Sequence, residues 1–223
     1  MEPENIIKQI IIYAVPILVA IILHEVSHGF VAFKLGDPTA KMMGRLTLNP
    51  IAHIDLFGTI IMPLLLLVST GGQFVFGYAK PVPINPYNFR NPRRDMAISA
   101  AGGPVMNFLV ASLSIILLKH IVIPFADHAS AEMIGKVLKP TALMLGASIQ
   151  INIVLAVFNL IPIPPLDGGR VLMGFLPDRQ AYLLGRIEPF GMIIVLVLVA
   201  TGFAGYIISP LIRLLMGLAG MGL

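Results

Sequence analysis

The sequence predicts an all-α polytopic membrane protein, with a three-helix core, a re-entrant or membrane-associated hairpin, and one or two C-terminal transmembrane helices. Two observations carry that expectation. The 223-residue chain is 57% hydrophobic, against roughly 45–50% for an ordinary domain even with glycine counted as apolar. Only 12% of it is charged, about half the usual share, and disorder needs the opposite balance. A domain of this size still leaves about a quarter to a third of its unfolded surface in water, so one core cannot hide so much apolar surface. No room remains for a separate soluble domain of ordinary size. The expected organisation is a single domain over 1–223, with a core at about 6–175 and a C-terminal membrane segment at about 189–218.

A transmembrane helix needs about 20 mostly apolar residues, within a range of roughly 17–25. The first candidate runs from about Ile6 to Phe33, interrupted by Lys8, Gln9 and a polar cluster at 24–28. The second, Leu56 to Ser69, has only 14 residues and contains Gly58 and Pro63. The third covers about Met96 to Val122 and the fourth Thr141 to Ile161. The last apolar block, Phe190 to Leu218, is broken by Gly202, Gly205 and Pro210. It reads as one span of about 19 residues followed by an interfacial helix, or as a tight helical hairpin. No internal repeat or low-complexity tract is visible.

The formal net charge is +4. The basic residues are scattered through short connections between apolar runs, which suits membrane orientation and not nucleic-acid binding. Lys34, Lys41 and Arg45 precede the short second stretch, and Lys80, Arg90, Arg93 and Arg94 follow it. The positive-inside rule places both flanks in the cytoplasm. Residues 54–76 are therefore expected to form a membrane-dipping hairpin, with 54–70 entering and leaving on one side. Without cysteine, disulfide and thiolate chemistry are excluded. The acidic opening Met-Glu-Pro-Glu, with no small-residue cleavage site after the first apolar run, gives no expectation of a cleaved signal peptide.

The first span contains His24-Glu25-Val26-Ser27-His28, an H-E-x-x-H motif. Two histidines at i and i+4 share one helix face, so both imidazoles can reach a single Zn²⁺. Glu25 beside them can take a proton from the attacking water. Three ionisable residues in five positions of a membrane helix are costly, and such residues are functional by default. The plainer reading has the histidines bonding only to neighbouring helices. A catalytic zinc site has three protein ligands and an open position, so a third ligand must come from elsewhere. Among the acids Asp37, Asp55, Asp95, Asp127, Glu132, Asp167, Asp178 and Glu188, Asp167 stands out by its setting. It follows the fourth span in Asn159-Leu-Ile-Pro162-Ile-Pro164-Pro165-Leu-Asp167-Gly168-Gly169-Arg170. Three prolines break the helix and two glycines permit sharp turns, which would fix a non-helical carboxylate at membrane depth. On the residues alone, a loop in which Asp167 caps the next helix fits equally well. His53 and Glu188 are the other candidate ligands. His120 and His128 read as outer surface residues.

H-E-x-x-H in a membrane helix, followed much later by N-x-x-P-x-x-x-x-D-G, resembles the site-2 protease family of intramembrane zinc metalloproteases. The matching residues are His24, Glu25 and His28, then Asn159, Pro162, Asp167 and Gly168. Gly103-Pro104-Val105-Met106-Asn107 is a further element similar to the family's. The runs Phe76 to Asn85, Asp37 to Lys41 and Gly44 to Pro50 resemble a small bacterial branch without a PDZ domain. The resemblance covers roughly residues 20–175. It implies that His24, His28 and Asp167 are the zinc ligands, that Glu25 is the general base, and that Asn159 contacts the substrate carbonyl or developing oxyanion. Asn159 also fits interhelical packing, as polar glue, and Gly103 with Asn107 reads better as a small-residue packing surface. The Pro-rich segment Lys80 to Pro92 reads as a rigid connection, or as an edge that an unwound substrate strand could join.

The expected activity is zinc-dependent endopeptidase cleavage within or next to transmembrane segments, by zinc-activated water with Glu25 as base. The expected partners are transmembrane or membrane-anchored protein substrates and the lipid bilayer, without nucleic acid. The expected location is multi-pass in a bacterial cell membrane, with the active site nearer the cytoplasmic face. The alternative from another class is a non-catalytic zinc-binding scaffold or a metal transporter.

Overall fold

The structure, a computed structural model, describes residues 3–71 and 77–220. Its main helices are α1 (Pro3–Lys34), α2 (Met62–Ser69), α3 (Pro92–Leu117), α4 (Lys139–Asn159), α5 (Asp167–Phe175), α6 (Asp178–Gly185), α7 (Glu188–Ala200) and α8 (Phe203–Leu218). Among the described residues there is no β-strand.

Three stretches are long and apolar enough to cross a membrane: Ile11–Lys34 of α1, Pro92–Ala126 beginning with α3, and Ala131–Asn159 ending with α4. At 1.5 Å per residue even the shortest is about 36 Å long, against about 30 Å of hydrocarbon. They are the first, third and fourth apolar stretches of the sequence. Val105, Leu109, Leu113 and Ile116 form one outward stripe along α3, and each is more than half exposed. That stripe would be costly in water and is solvated by lipid. Pro16 and Pro104 lie inside α1 and α3 without ending them, as buried membrane helices tolerate.

α1, α3 and α4 pack on one another in all three pairings and form the core. Most of the buried residues on α3 are small: Ala97, Ser99, Ala100, Gly103, Ala111 and Ser114, beside Asp95, Pro104 and Asn107. Small residues let helix backbones approach closely where lipid supplies no hydrophobic drive between helices. Helix α3 starts with Pro92 in its first turn, and Asp95 Oδ2 accepts the Asn91 N–H at 3.0 Å. The Asp95 carboxylate thus satisfies the N–H of the N-cap residue from the first turn.

The second apolar stretch is helical from Leu56 to Ser69, too short to be a crossing helix. Asp55 Oδ1 accepts the Gly58 N–H at 2.7 Å and caps it. The chain then comes back beside its own start. The Tyr78 N–H donates to Gly58 O at 3.0 Å, the Lys80 N–H to His53 O at 2.9 Å, and the Thr59 hydroxyl to Tyr78 O at 2.9 Å. A chain whose two limbs meet in this way forms a hairpin; residues 72–76 of the expected hairpin lie outside those described.

The C-terminal block breaks at Gly202, which has φ 73°, a left-handed conformation that glycine adopts without steric cost. The result is two helices of 13 and 16 residues, α7 and α8. No single 19-residue helix forms; α6 and α7 together, bent by 64°, have the length and apolarity of one span, and Ile208–Leu218 of α8 is a shorter apolar helix. α8 packs on α4, where Ile149, Ile153 and Val157 cluster with Ala111, Met216 and Ala219.

Candidate active site

Helix α1 places His24 and His28 one turn apart, both buried. Counting from Lys34 at 1.5 Å per residue, they lie about 15 Å and 9 Å inside the helix end. The loop Asn159–Leu166 brings Asp167 to the same point. His24 Nε2 and His28 Nε2 are 3.0 Å apart, and Asp167 Oδ2 lies 3.1 Å from the first and 3.2 Å from the second. The structure thus brings together the three residues that the motifs single out, and among the described residues no other histidine or acid joins them.

Hydrogen bonding on the far side of each ring decides what these atoms are. His28 Nδ1 lies 2.8 Å from the Ser99 carbonyl, which can only accept, so this nitrogen carries the proton. His24 Nδ1 lies 2.6 Å from Asn107 Oδ1, again an acceptor. Both Nε2 atoms are then bare lone pairs in the neutral rings. Asp167 Oδ2 is buried with no hydrogen-bond donor. Three electron-rich atoms converging at about 3 Å repel one another unless a cation lies among them. A tetrahedral Zn²⁺ with bonds of about 2.0–2.1 Å sets its ligand atoms roughly 3.3 Å apart. The donor set and the spacing fit zinc with three protein ligands.

Asp167 is the first residue of α5 and not part of a non-helical loop, and its side chain caps nothing. Gly168 and Gly169 are also helical, without positive φ; what they provide is close approach. A Cβ on Gly168 would stand 2.5 Å from Ile161 O, and one on Gly169 2.6 Å from the Ile163 carbonyl carbon. Gly191 of α7 has the same relation to the loop from its other side, with 2.5 Å to Pro165 Cδ. The prolines fix the loop, and the missing side chains let it lie against α5 and α7.

Glu25 faces a cavity of about 510 Å³ that the three converging residues share. Its Oε2 accepts the Val82 N–H at 2.9 Å. The Pro-rich segment crosses the cavity here, and Tyr78, Ala79, Pro81, Val82 and Ile84 line it. Arg45, buried, donates to Lys80 O at 2.9 Å. Buried Asp37 accepts the Asn85 N–H and the Asn88 side-chain amide, both at 2.7 Å, together with the Thr39 N–H and hydroxyl. Burial alone pushes the Asp37 carboxyl up, but the bonds from Asn88, Thr39 and Asn85 outweigh it and hold it below its ordinary value.

The remaining candidates lie elsewhere. His53 bonds Thr47 O at 2.8 Å, Glu188 pairs with Arg170 at 2.9 Å, and Asp178 pairs with Arg93. His120 and His128 are exposed, as expected. Asn159 lines the cavity and donates to its own helix at Leu155 O, 3.0 Å away. Gly103 and Asn107 do lie on a buried packing surface, but what that surface meets is the histidine pair. A Cβ on Gly103 would stand 2.5 Å from His28 Cε1 and 2.6 Å from His24 Cε1, and Asn107 holds His24. Ser99, Gly103 and Asn107 recur every four residues on one face of α3, a signal that the sequence offers once α1 is known to pack there.

Residues 12–202 match the sequence profile of Peptidase family M50. The chain belongs to that family. "Putative zinc metalloprotease YwhC" of Bacillus subtilis (strain 168) is 37% identical over 200 residues, covering 89% of this chain and 84% of that protein. "Putative zinc metalloprotease Rip2" of Mycolicibacterium smegmatis is 29% identical over 189 residues, covering 82% of this chain and 64% of that protein. Its namesake in Mycobacterium tuberculosis H37Rv is 30% identical, with 81% and 63% covered, so the chain spans just under two thirds of the mycobacterial relatives. No solved structure matches the chain. As an M50 peptidase it is a zinc metalloprotease, and its apolar helices make it an integral membrane protein. This decides against the scaffold or transporter alternative.

Proposed function

We propose that this M50 peptidase is an intramembrane endopeptidase that cuts peptide bonds within or next to the transmembrane segments of membrane proteins. One observation carries the reading: His24, His28, Asp167 and Glu25 surround a cavity about 9–15 Å inside a membrane-length helix. His24, His28 and Asp167 are the zinc ligands. They would hold a Zn²⁺ that, when bound, would supply a water of pKa about 7 and polarise the scissile carbonyl. Glu25 takes the proton from the attacking water and returns it to the leaving amine, so the peptide bond is replaced by a carboxylate and a free amine. The Val82 N–H holds Glu25 Oε2 and so fixes the carboxylate's direction. Asn159 donates an amide proton to the substrate carbonyl; its present bond to Leu155 O uses only one of two N–H groups.

The basic residues on both sides of the hairpin support an active site nearer the cytoplasmic face. Lys34, Arg90 and Arg94 line one recess at the Lys34 end of α1, and Lys41 stacks over the Phe33 ring of the same helix. The Pro-rich segment offers an edge for an unwound substrate. The N–H groups of Tyr78, Lys80 and Val82 are spent on Gly58, His53 and Glu25, which leaves the Ala79 N–H and the Ala79 and Pro81 carbonyls for a substrate strand, Pro81 having no N–H of its own; both residues line the cavity.

The experiment is cleavage of a model membrane-anchored substrate in proteoliposomes, with the cut mapped by mass spectrometry. A zinc-dependent cut within or within a few residues of the substrate's apolar segment is the expected result. A cut confined to a distant soluble loop would overturn the intramembrane reading.

A further inference from the structure

His28 is oriented by a backbone carbonyl, which no side-chain replacement can remove. His24 is different, because a chain of side chains stands behind it. Asn107 and Asn152 are both fully buried between α1, α3 and α4. Asn152 Nδ2 donates to Ser148 O at 2.8 Å, a carbonyl that can only accept, so Asn152 turns its Oδ1 towards α3. Asn107 Nδ2 donates to that oxygen at 2.8 Å and to Ala20 O at 3.3 Å. Its own Oδ1 is thereby left facing His24 Nδ1 at 2.6 Å. An amide rotated end for end at either position would set donor against donor or acceptor against acceptor inside the bundle, where each unpaired group costs about 1–3 kcal/mol.

We infer that Asn107 and Asn152 are positioning residues that set the tautomer of His24, keeping its proton on Nδ1 and its Nε2 lone pair free for the metal. The inference rests on the reading of His24 as a zinc ligand. A proton on Nε2 would point a donor at the metal position and remove one of three ligands. The orientation starts at a backbone carbonyl of α4, passes through two amides and ends on α1, so all three core helices contribute to one ligand. Outer partners of ligating histidines are typically worth 10–100-fold in metal affinity.

The test uses the full chain in detergent, labelled with ¹⁵N-histidine, with zinc affinity measured by competition with a chromogenic chelator. In metal-free wild type, His24 should show a protonated Nδ1 and a bare Nε2. Asn107→Leu should populate the opposite tautomer and weaken zinc binding by about 10–100-fold. Asn152→Leu, which touches no ligand, should shift both readouts in the same direction by a smaller factor. Asn107→Asp keeps an acceptor against Nδ1 and should retain the wild-type tautomer, although it loses the donor to Asn152 Oδ1 and Ala20 O and so is read by tautomer and not by affinity. Ser148→Ala should change neither, because the Ser148 carbonyl at 2.8 Å still orients Asn152 after loss of the longer bond to the hydroxyl at 3.3 Å. If Asn107→Leu does not fold, Asn152→Leu and Asn107→Asp carry the test. Unchanged tautomer and affinity in the folded Asn107→Leu or Asn152→Leu variant would overturn the inference, as would loss of the tautomer in Asn107→Asp. Failure of the underlying zinc reading looks different: His24→Ala would keep its zinc, while Asn107→Leu in the His24 protein still changed the tautomer.

Discussion

Gly103→Ala is a one-methyl change whose effect follows directly from the packing of α3 on α1. The added Cβ would stand 2.5 Å from His28 Cε1 and 2.6 Å from His24 Cε1, whereas carbon atoms settle at about 3.5–4.0 Å. Both rings, or the two helices, must give way by about 1 Å. The rings are tethered at Nδ1 to Asn107 Oδ1 and Ser99 O, so either movement breaks those bonds and spreads the ligand atoms. Metal–ligand distances tolerate about ±0.2 Å, so the displacement is several times what the site can absorb. Zinc affinity should fall at least as far as on losing an outer-shell partner, about 10–100-fold. Cleavage at saturating zinc should fall by a further factor of about 100 from misplacement. Chelator competition and a proteoliposome cleavage assay read the two effects separately. Two glycines calibrate them. Gly102→Ala meets Val31 Cγ2 at 3.1 Å and Ser27 O at 3.2 Å, a few tenths of an ångström to absorb, and Gly205→Ala meets nothing within 4 Å. The order of damage should be 103, then 102, then 205. Wild-type zinc affinity in Gly103→Ala would refute the argument that this glycine makes room for the ligands.

Gly191→Ala should disrupt the Pro164–Pro165 loop and displace Asp167, since its Cβ would overlap the Pro164 carbonyl; zinc content should drop although Gly191 touches no ligand. Asp37 should tie the Pro-rich segment to α1 in a pH-dependent way. Its carboxyl lies below its ordinary value in the folded state, so its contribution is complete above the unfolded pKa of about 3.9 and is lost as pH falls through the lower folded value. Limited proteolysis at residues 80–90 should rise in acid for wild type, while Asp37→Ala should be cut readily at neutral pH too; equal protection of the two at neutral pH would contradict the role. Glu188→Gln should weaken the half-exposed pair with Arg170 by no more than about 1 kcal/mol in a thermal melt and leave zinc bound, whereas loss of zinc would restore Glu188 as a ligand candidate.

The convergence of His24, His28 and Asp167 was legible in unequal measure. His24 and His28 share a helix face at i and i+4, and ionisable groups in a membrane helix demand a reason. Asp167 was only one of two even readings until its resemblance to a known motif was added, since spacing cannot say what a loop after three prolines faces. The three crossing helices followed from length and apolarity, and the charge on both flanks of Leu56–Ser69 gave the hairpin. The break at Gly202 was visible as a glycine, but whether it ends one span or makes two helices depends on packing against α4. Asn107 and Asn152 were hidden for a clearer reason. A buried amide bonded to a site histidine and a buried amide used as interhelical glue have the same sequence, and only the position of His24 Nδ1 separates them. The Val82 N–H on Glu25 had no side-chain signal at all, because a backbone donor carries none.

The most direct test of the account is zinc content and cleavage measured together on Glu25→Gln. Gln keeps the shape of Glu25 and can still accept the Val82 N–H, but it cannot take a proton from water at neutral pH. The account predicts one zinc per chain, as in wild type, with no detectable cleavage of a membrane-anchored substrate. Cleavage at the wild-type rate by a zinc-loaded Glu25→Gln protein would contradict it.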